Sequence, residues 1–123
     1  MNLIDSSGWL EYFADGPNAK KYSEPLDSLE DLIVPTICLY EVFKVVLRER
    51  DEDSAIQAIA IMKQAKIIEL SQDIALQAAK ISLDFKLPMA DSIILATAAK
   101  YEAIVWTQDA DFKGKPSVKY FAR

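Results

Sequence analysis

The chain contains no histidine, one cysteine and three glycines among its 123 residues. Without histidine there is no Ser-His-Asp or Cys-His nucleophile system, no imidazole acid–base catalysis and no histidine-ligated zinc. The lone Cys38 has no partner for an intrachain disulfide, which suits a reducing cytoplasm. Gly8, Gly16 and Gly114 are too scattered to cradle a phosphate. No apolar run approaches the roughly 18 residues of a membrane span. Met1-Asn-Leu-Ile-Asp5 has neither the basic nor the long apolar segment of a signal peptide. The expectation is a soluble cytoplasmic protein whose chemistry comes from carboxylates, hydroxyls, lysines or a bound ion.

What is present is ordinary for a globular protein: 51% hydrophobic and 27% charged residues. A chain of this length can bury a core without disulfides, and the expectation is a single domain over residues 1–123. The net charge of −5 argues against indiscriminate nucleic-acid binding. It leaves room for an acidic site neutralised by metal. Local basic groups exist, with Lys113, Lys115, Lys119 and Arg123 in the tail and Lys44, Arg48 and Arg50 after Thr36.

Asn2-Leu-Ile-Asp5 reads as a short buried strand, followed by a helix that Ser6 or Ser7 can cap. Gly16-Pro17 breaks that helix, and a second helical stretch covers about 22–31. Leu32-Ile-Val34 is the next strand, closed by Pro35. Thr36 then caps a helix to about Arg50, and Asp53 opens another to about Gln64. Further strands fall at Lys66–Leu70 and Ala103–Thr107, with another at Ser117–Tyr120 as the open alternative. Helices fill about 72–85 and 90–101. Strands separated by helices predict an α/β fold, a small parallel sheet of about four to five strands with helices on both faces. Ligands in such folds bind outside the carboxyl ends of the strands. Asp5 and Thr107-Gln-Asp109 lie at those ends.

Each acid has a structural reading beside a chemical one. Asp5 follows a buried strand, where a carboxylate needs donors or a cation, and two serines already offer capping oxygens. Glu41 falls opposite the apolar side of its helix, taken to centre on Leu39, Val42, Phe43 and Val46, so a solvated face explains it equally well. Asp91 opens a helix, as a capping acid would, but aligns with inward-facing Ile94, Leu95 and Ala98. Asp109 and Asp111 suit either a turn or a hard divalent ion. Trp9, Phe13, Tyr40, Phe43, Phe85 and Trp106 stand at core-like spacings and read as packing. Asp51-Glu-Asp53 reads as a solvated turn and helix start.

Four stretches together carry a resemblance. Leu3-Ile-Asp-Ser-Ser7 with Trp9-Leu10, Leu39-Tyr-Glu-Val42, Leu87-Pro-Met-Ala-Asp-Ser-Ile-Ile-Leu-Ala-Thr-Ala98 and Ile104-Val-Trp-Thr-Gln-Asp-Ala-Asp-Phe112 resemble the PIN-domain family. Within that family the likeness is to VapC-type toxins of toxin–antitoxin pairs. It spans nearly the whole chain. It implies that Asp5, Glu41, Asp91 and Asp109 form the family's acidic quartet, with Asp111 as accessory acid and Thr107 as the supporting hydroxyl. It further implies RNA hydrolysis through a water activated by Mg²⁺ or Mn²⁺, leaving a 5′-phosphate and a 3′-hydroxyl. Asp5, Asp91 and Asp109 would hold the metal, and Glu41 a second ion or the attacking water. A homodimer and an antitoxin partner are implied as well.

Two other classes compete. A receiver domain would need paired acids after the first strand and a late strand-end lysine, whereas here serines follow Asp5 and the late strand ends in Thr107. A PIN-fold binding module would keep the quartet and act by holding RNA or antitoxin without turnover.

Overall fold

The computed structural model describes residues 1–123. Five strands, β1 (Asn2–Ile4), β2 (Leu32–Pro35), β3 (Lys66–Ile68), β4 (Ile104–Thr107) and β5 (Val118–Tyr120), form one parallel sheet in the order β3-β2-β1-β4-β5. Six helices accompany them: α1 (Ser6–Phe13), α2 (Ser23–Leu26), α3 (Thr36–Glu49), α4 (Glu52–Met62), α5 (Gln72–Phe85) and α6 (Met89–Lys100). This is the expected α/β architecture. No helix is long and apolar enough to cross a membrane.

The central strands are short and largely apolar. Leu3 and Ile4 in β1, and Ile33 and Val34 in β2, are fully buried. Successive side chains point to opposite faces, so burial of both members of each pair means both faces are covered by helices. The edge strands differ, with Lys66 of β3 exposed and β5 only half-buried.

The strand order reverses at β1. The chain winds outward through β2 and β3, then returns to lay β4 on the other flank of β1, pairing Leu3 with Val105 and Ile4 with Trp106. A crevice therefore opens at the carboxyl ends of β1 and β4, where open α/β sheets bind ligands. A receiver-type order of 2-1-3-4-5 would open it elsewhere, which removes that rival.

Several local expectations change. Asp5, not Ser6 or Ser7, caps α1; its backbone is extended and its side chain accepts from the Gly8 N–H. Pro35 directly precedes α3, whose first turn has no side-chain cap, so Thr36 is inside the helix. Asp51 caps α4 by accepting from the Ser54 N–H, which starts that helix at Glu52. The stretch 22–31 is not one helix but 3₁₀ turns at Ala19–Tyr22 and Leu29–Asp31 around α2. Asp27 and Ser28 follow α2 with side-chain oxygens that compete for the backbone, and Ser28 leaves helical geometry at φ −129°, ψ 68°. Tyr40 and Phe85 are not core, being 60% and 45% exposed. Trp9 and Trp106 are buried as expected.

Candidate active site

Asp5 leaves β1 at the crevice with only 2% of its surface exposed. Three donors meet it. Its Oδ1 accepts from the Ser7 hydroxyl at 2.7 Å and the Gly8 N–H at 2.9 Å, and its Oδ2 from the Thr107 hydroxyl at 2.7 Å. Burial nevertheless raises its pKa to about 6, against the pull of those donors, and the Asp109 charge adds to the rise. The cap that the sequence assigned to Ser6 or Ser7 is thus made by this buried carboxylate.

Thr107 is the joint of the site. Fully buried at the end of β4, it donates to Asp5 while accepting from the Asp109 N–H at 2.9 Å. The acids of β1 and β4 are thus tied through one hydroxyl. Asp109 in turn accepts from the Asp111 N–H at 2.9 Å, opening the short 3₁₀ turn Ala110–Phe112.

Glu41 is half-buried on α3 and accepts from the Ser6 hydroxyl at 2.6 Å. The buried residues of α3 are Cys38, Val42 and Val46, so its inward stripe is rotated toward Glu41 from the face read in the sequence. Glu41 flanks that stripe instead of opposing it. Lys44 and Arg48 are exposed, as expected.

Asp91 stands in the first turn of α6, set by the left-handed turn at Lys86 (φ 56°) and the link Leu87-Pro88. Its pKa is raised to about 7, first by burial, then by the charges of Asp109, Asp111 and Glu41. Carboxylate oxygens of Asp91, Asp109 and Asp111 lie within 4.8 Å of one another. Asp111, expected as an accessory, is therefore one of the tight trio. Asp5 and Glu41 flank it, each engaged by protein hydroxyls.

The two salt bridges of the chain, Arg48–Glu49 and Lys100–Asp73, both lie elsewhere, so no lysine or arginine neutralises the trio. Hard oxygen donors that crowd and repel fit a hard divalent cation such as Mg²⁺ or Mn²⁺. Ser6 and Ser7 had been read only as caps, and nothing in the sequence pointed to Asn18 or Tyr22. Buried Asn18 donates through Nδ2 to the Gln108 side chain at 3.2 Å and to the Ala122 carbonyl at 3.0 Å, and Tyr22 donates to the same Gln108 oxygen at 3.4 Å. Partners this distant in the chain leave no local pattern.

The family model of the PIN domain matches residues 3–117. The chain belongs to the PIN-domain family. A comparison with curated proteins gives no significant match. Among solved structures, a toxin–antitoxin complex from Klebsiella pneumoniae contains a similar chain at 26% identity, TM-score 0.84, with each chain covered over 100% of its length. A VapC toxin of Mycobacterium tuberculosis, described as cleaving the sarcin–ricin loop, superposes with TM-score 0.79 at 16% identity, covering 94% of this chain and 95% of that one. The FitAcB structure from Neisseria gonorrhoeae matches with TM-score 0.77 at 24% identity, covering 98% and 96%. The last two share the fold.

Proposed function

We propose that this chain is a Mg²⁺- or Mn²⁺-dependent endoribonuclease and the toxin of a type II toxin–antitoxin pair, acting as one PIN-like unit over residues 1–123. The observation that carries this reading is the trio Asp91, Asp109 and Asp111, converging within 4.8 Å without a protein cation. The Klebsiella relative, from a toxin–antitoxin complex, and the Mycobacterium toxin, described as cleaving the sarcin–ricin loop, support it.

In this proposal Asp91, Asp109 and Asp111 hold the ion, with Asp5 and Glu41 completing the cleft. When bound, the ion would supply neutralisation of the acids and Lewis-acid polarisation of the scissile phosphate. Thr107 fixes the spacing of Asp5 and Asp109, because its one hydroxyl serves both. Glu41, oriented by Ser6, is the proton acceptor for the attacking water. Hydrolysis leaves a 5′-phosphate and a 3′-hydroxyl. A protein antitoxin would shield the cleft, an arginine from it being the natural partner for clustered carboxylates. A homodimer in the cytoplasm is the proposed resting form.

The test is cleavage of RNA by antitoxin-free protein with Mn²⁺, with Mg²⁺ and in excess EDTA. Cleavage only with metal, lost in Asp109→Ala, is expected; Ca²⁺ should serve poorly. Robust cleavage in EDTA would sink the metal mechanism, and 2′,3′-cyclic ends would replace water with the ribose hydroxyl as nucleophile. RNA binding without any turnover would convert the enzyme into a binding module.

A further inference from the structure

The residues after β5 are fastened to the cleft rather than left loose. The Phe121 N–H donates to the Thr107 carbonyl at 2.9 Å, and buried Asn18 donates to the Ala122 carbonyl at 3.0 Å. The Phe121 ring packs edge-on against buried Tyr22, centroids 5.5 Å apart, and at 6.0 Å from Trp106. Asn18 and Tyr22 are both aimed at the Gln108 side chain, beside the Asp109 that closes the acidic trio. Two backbone groups and one ring therefore fix the path of the tail immediately before Arg123.

Arg123 lies where that path ends. It lines a hollow of about 310 Å³ with Ser6, Ser7, Glu41 and Gln108, and is the single cation among the residues lining it. Gln108, next in sequence to Asp109, borders this hollow on the side of the acidic trio, which itself does not line it. Its side chain is exposed and makes no salt bridge, although Glu11 and Glu41 line the same hollow. Its positive charge also opposes the rise in the Tyr22 pKa that burial, Asp5 and Glu11 cause, which places the guanidinium within electrostatic reach of the network. A second cation, Lys21, stands over the Phe121 ring at 5.4 Å from its centroid. A hollow edged by Glu11 and Glu41, beside the acidic trio, repels a phosphodiester chain except where a cation offsets them. A planar guanidinium with five donors suits a backbone phosphate.

We propose that Arg123 is a phosphate-binding residue for the RNA at the mouth of the acidic cleft, placed there by the Asn18–Gln108 clamp on the tail. This rests on the ribonuclease reading above. Arg123 touches the RNA backbone beside the cleaved bond, and Asn18 is a positioning residue that acts through Ala122.

The experiment compares the parent protein with Arg123→Gln, Arg123→Lys and the charge-matched control Lys80→Gln, which lies on the exposed side of α5. Binding of a fluorescent single-stranded RNA pool is read by anisotropy in Ca²⁺, and cleavage of the same pool in Mn²⁺, between about 50 and 200 mM salt. Arg123→Gln should weaken binding about tenfold and lower the salt slope by about one, since one phosphate contact is lost. Arg123→Lys should recover part of the loss, Lys80→Gln should track the parent, and the loss in cleavage should fall mainly on KM. Asn18→Ala should weaken binding in the same direction but add nothing in the Arg123→Gln background, because both act on one contact. Additive losses, or equal affinity and salt slope in Arg123→Gln and parent while the parent still cleaves, overturn this proposal alone. A parent protein that neither binds nor cuts the pool in any metal removes the ribonuclease reading and this proposal together.

Discussion

Asp5 and Asp91 are both acids with raised pKa values, yet the protein treats their charges differently. Asp5 is met by three donors and caps α1, whereas Asp91 faces the charges of Asp109, Asp111 and Glu41. Removing them should change stability in opposite directions. Asp5→Ala strips the cap and leaves the buried Thr107 hydroxyl without its acceptor, a loss of about 2 kcal/mol. Asp91→Asn relieves repulsion and should stabilise the metal-free protein by about 1 kcal/mol, a figure kept small because water reaches exposed Asp111. On a domain of this size that is a rise of roughly 3–5 °C in Tm. Thermal melts in EDTA decide it, and shifts of the same sign would undo the distinction. Asp5 was legible in the sequence because it ends an apolar strand, although cap and site looked like alternatives. Glu41 was named only through the family resemblance, because its helical period fits a solvated face and its partner Ser6 sits 35 residues away on another element.

At the scale of elements, α1 is seated against β1 and the turn after it by the absence of a side chain at Gly8. A Cβ there would lie 2.6 Å from Tyr22 Cε1 and 2.7 Å from Ile4 Cγ2, both belonging to fully buried side chains. Gly8→Ala should gain about 1 kcal/mol of helix propensity but cost about 1–3 kcal/mol in overpacking. We expect a net fall in Tm in chemical and thermal melts, with Tyr22 displaced; a stabilised variant would mean that α1 can slide. Most helices and four of the five strands were readable, with the fifth left open, since β-rich apolar runs alternate with capped helical segments. What escaped was decided between elements. The inward face of α3 turned toward Glu41 because small Cys38 sits against the core, and the stretch 22–31 broke where Asp27 and Ser28 favour turns. Strand order, which brings β4 beside β1, is written in no local pattern.

That order matters for the whole molecule, because it lays the ends of β1 and β4 side by side, where Asp91, Asp109 and Asp111 converge within 4.8 Å with no salt bridge to relieve their repulsion. Stability should therefore depend on pH and on metal together. Asp5 and Asp91 have folded pKa values raised to about 6 and about 7 from an ordinary value of 3.8. A group raised in the folded state contributes its full stability below the unfolded value and loses it as pH rises through the folded one. The metal-free protein should thus lose stability steadily between about pH 5 and pH 8. No histidine is present to titrate in that window. Asp51 and Asp73 are shifted downward by their hydrogen bonds, so their contributions are lost only in acid below it. Mn²⁺ binds the ionised carboxylates, so its stabilisation should grow as pH rises, reaching about 2.7 kcal/mol when the ion is at a hundred times its Kd. Melts at pH 5.5 and pH 8 with EDTA or Mn²⁺ should therefore diverge as pH rises, with EDTA values falling and Mn²⁺ values holding level. Asp91→Asn should flatten the EDTA dependence and shrink the Mn²⁺ gain at pH 8. A metal-free Tm that rises from pH 5.5 to pH 8, or a Mn²⁺ effect indifferent to pH, would mean that the clustered carboxylates are not what couples this fold to a cation.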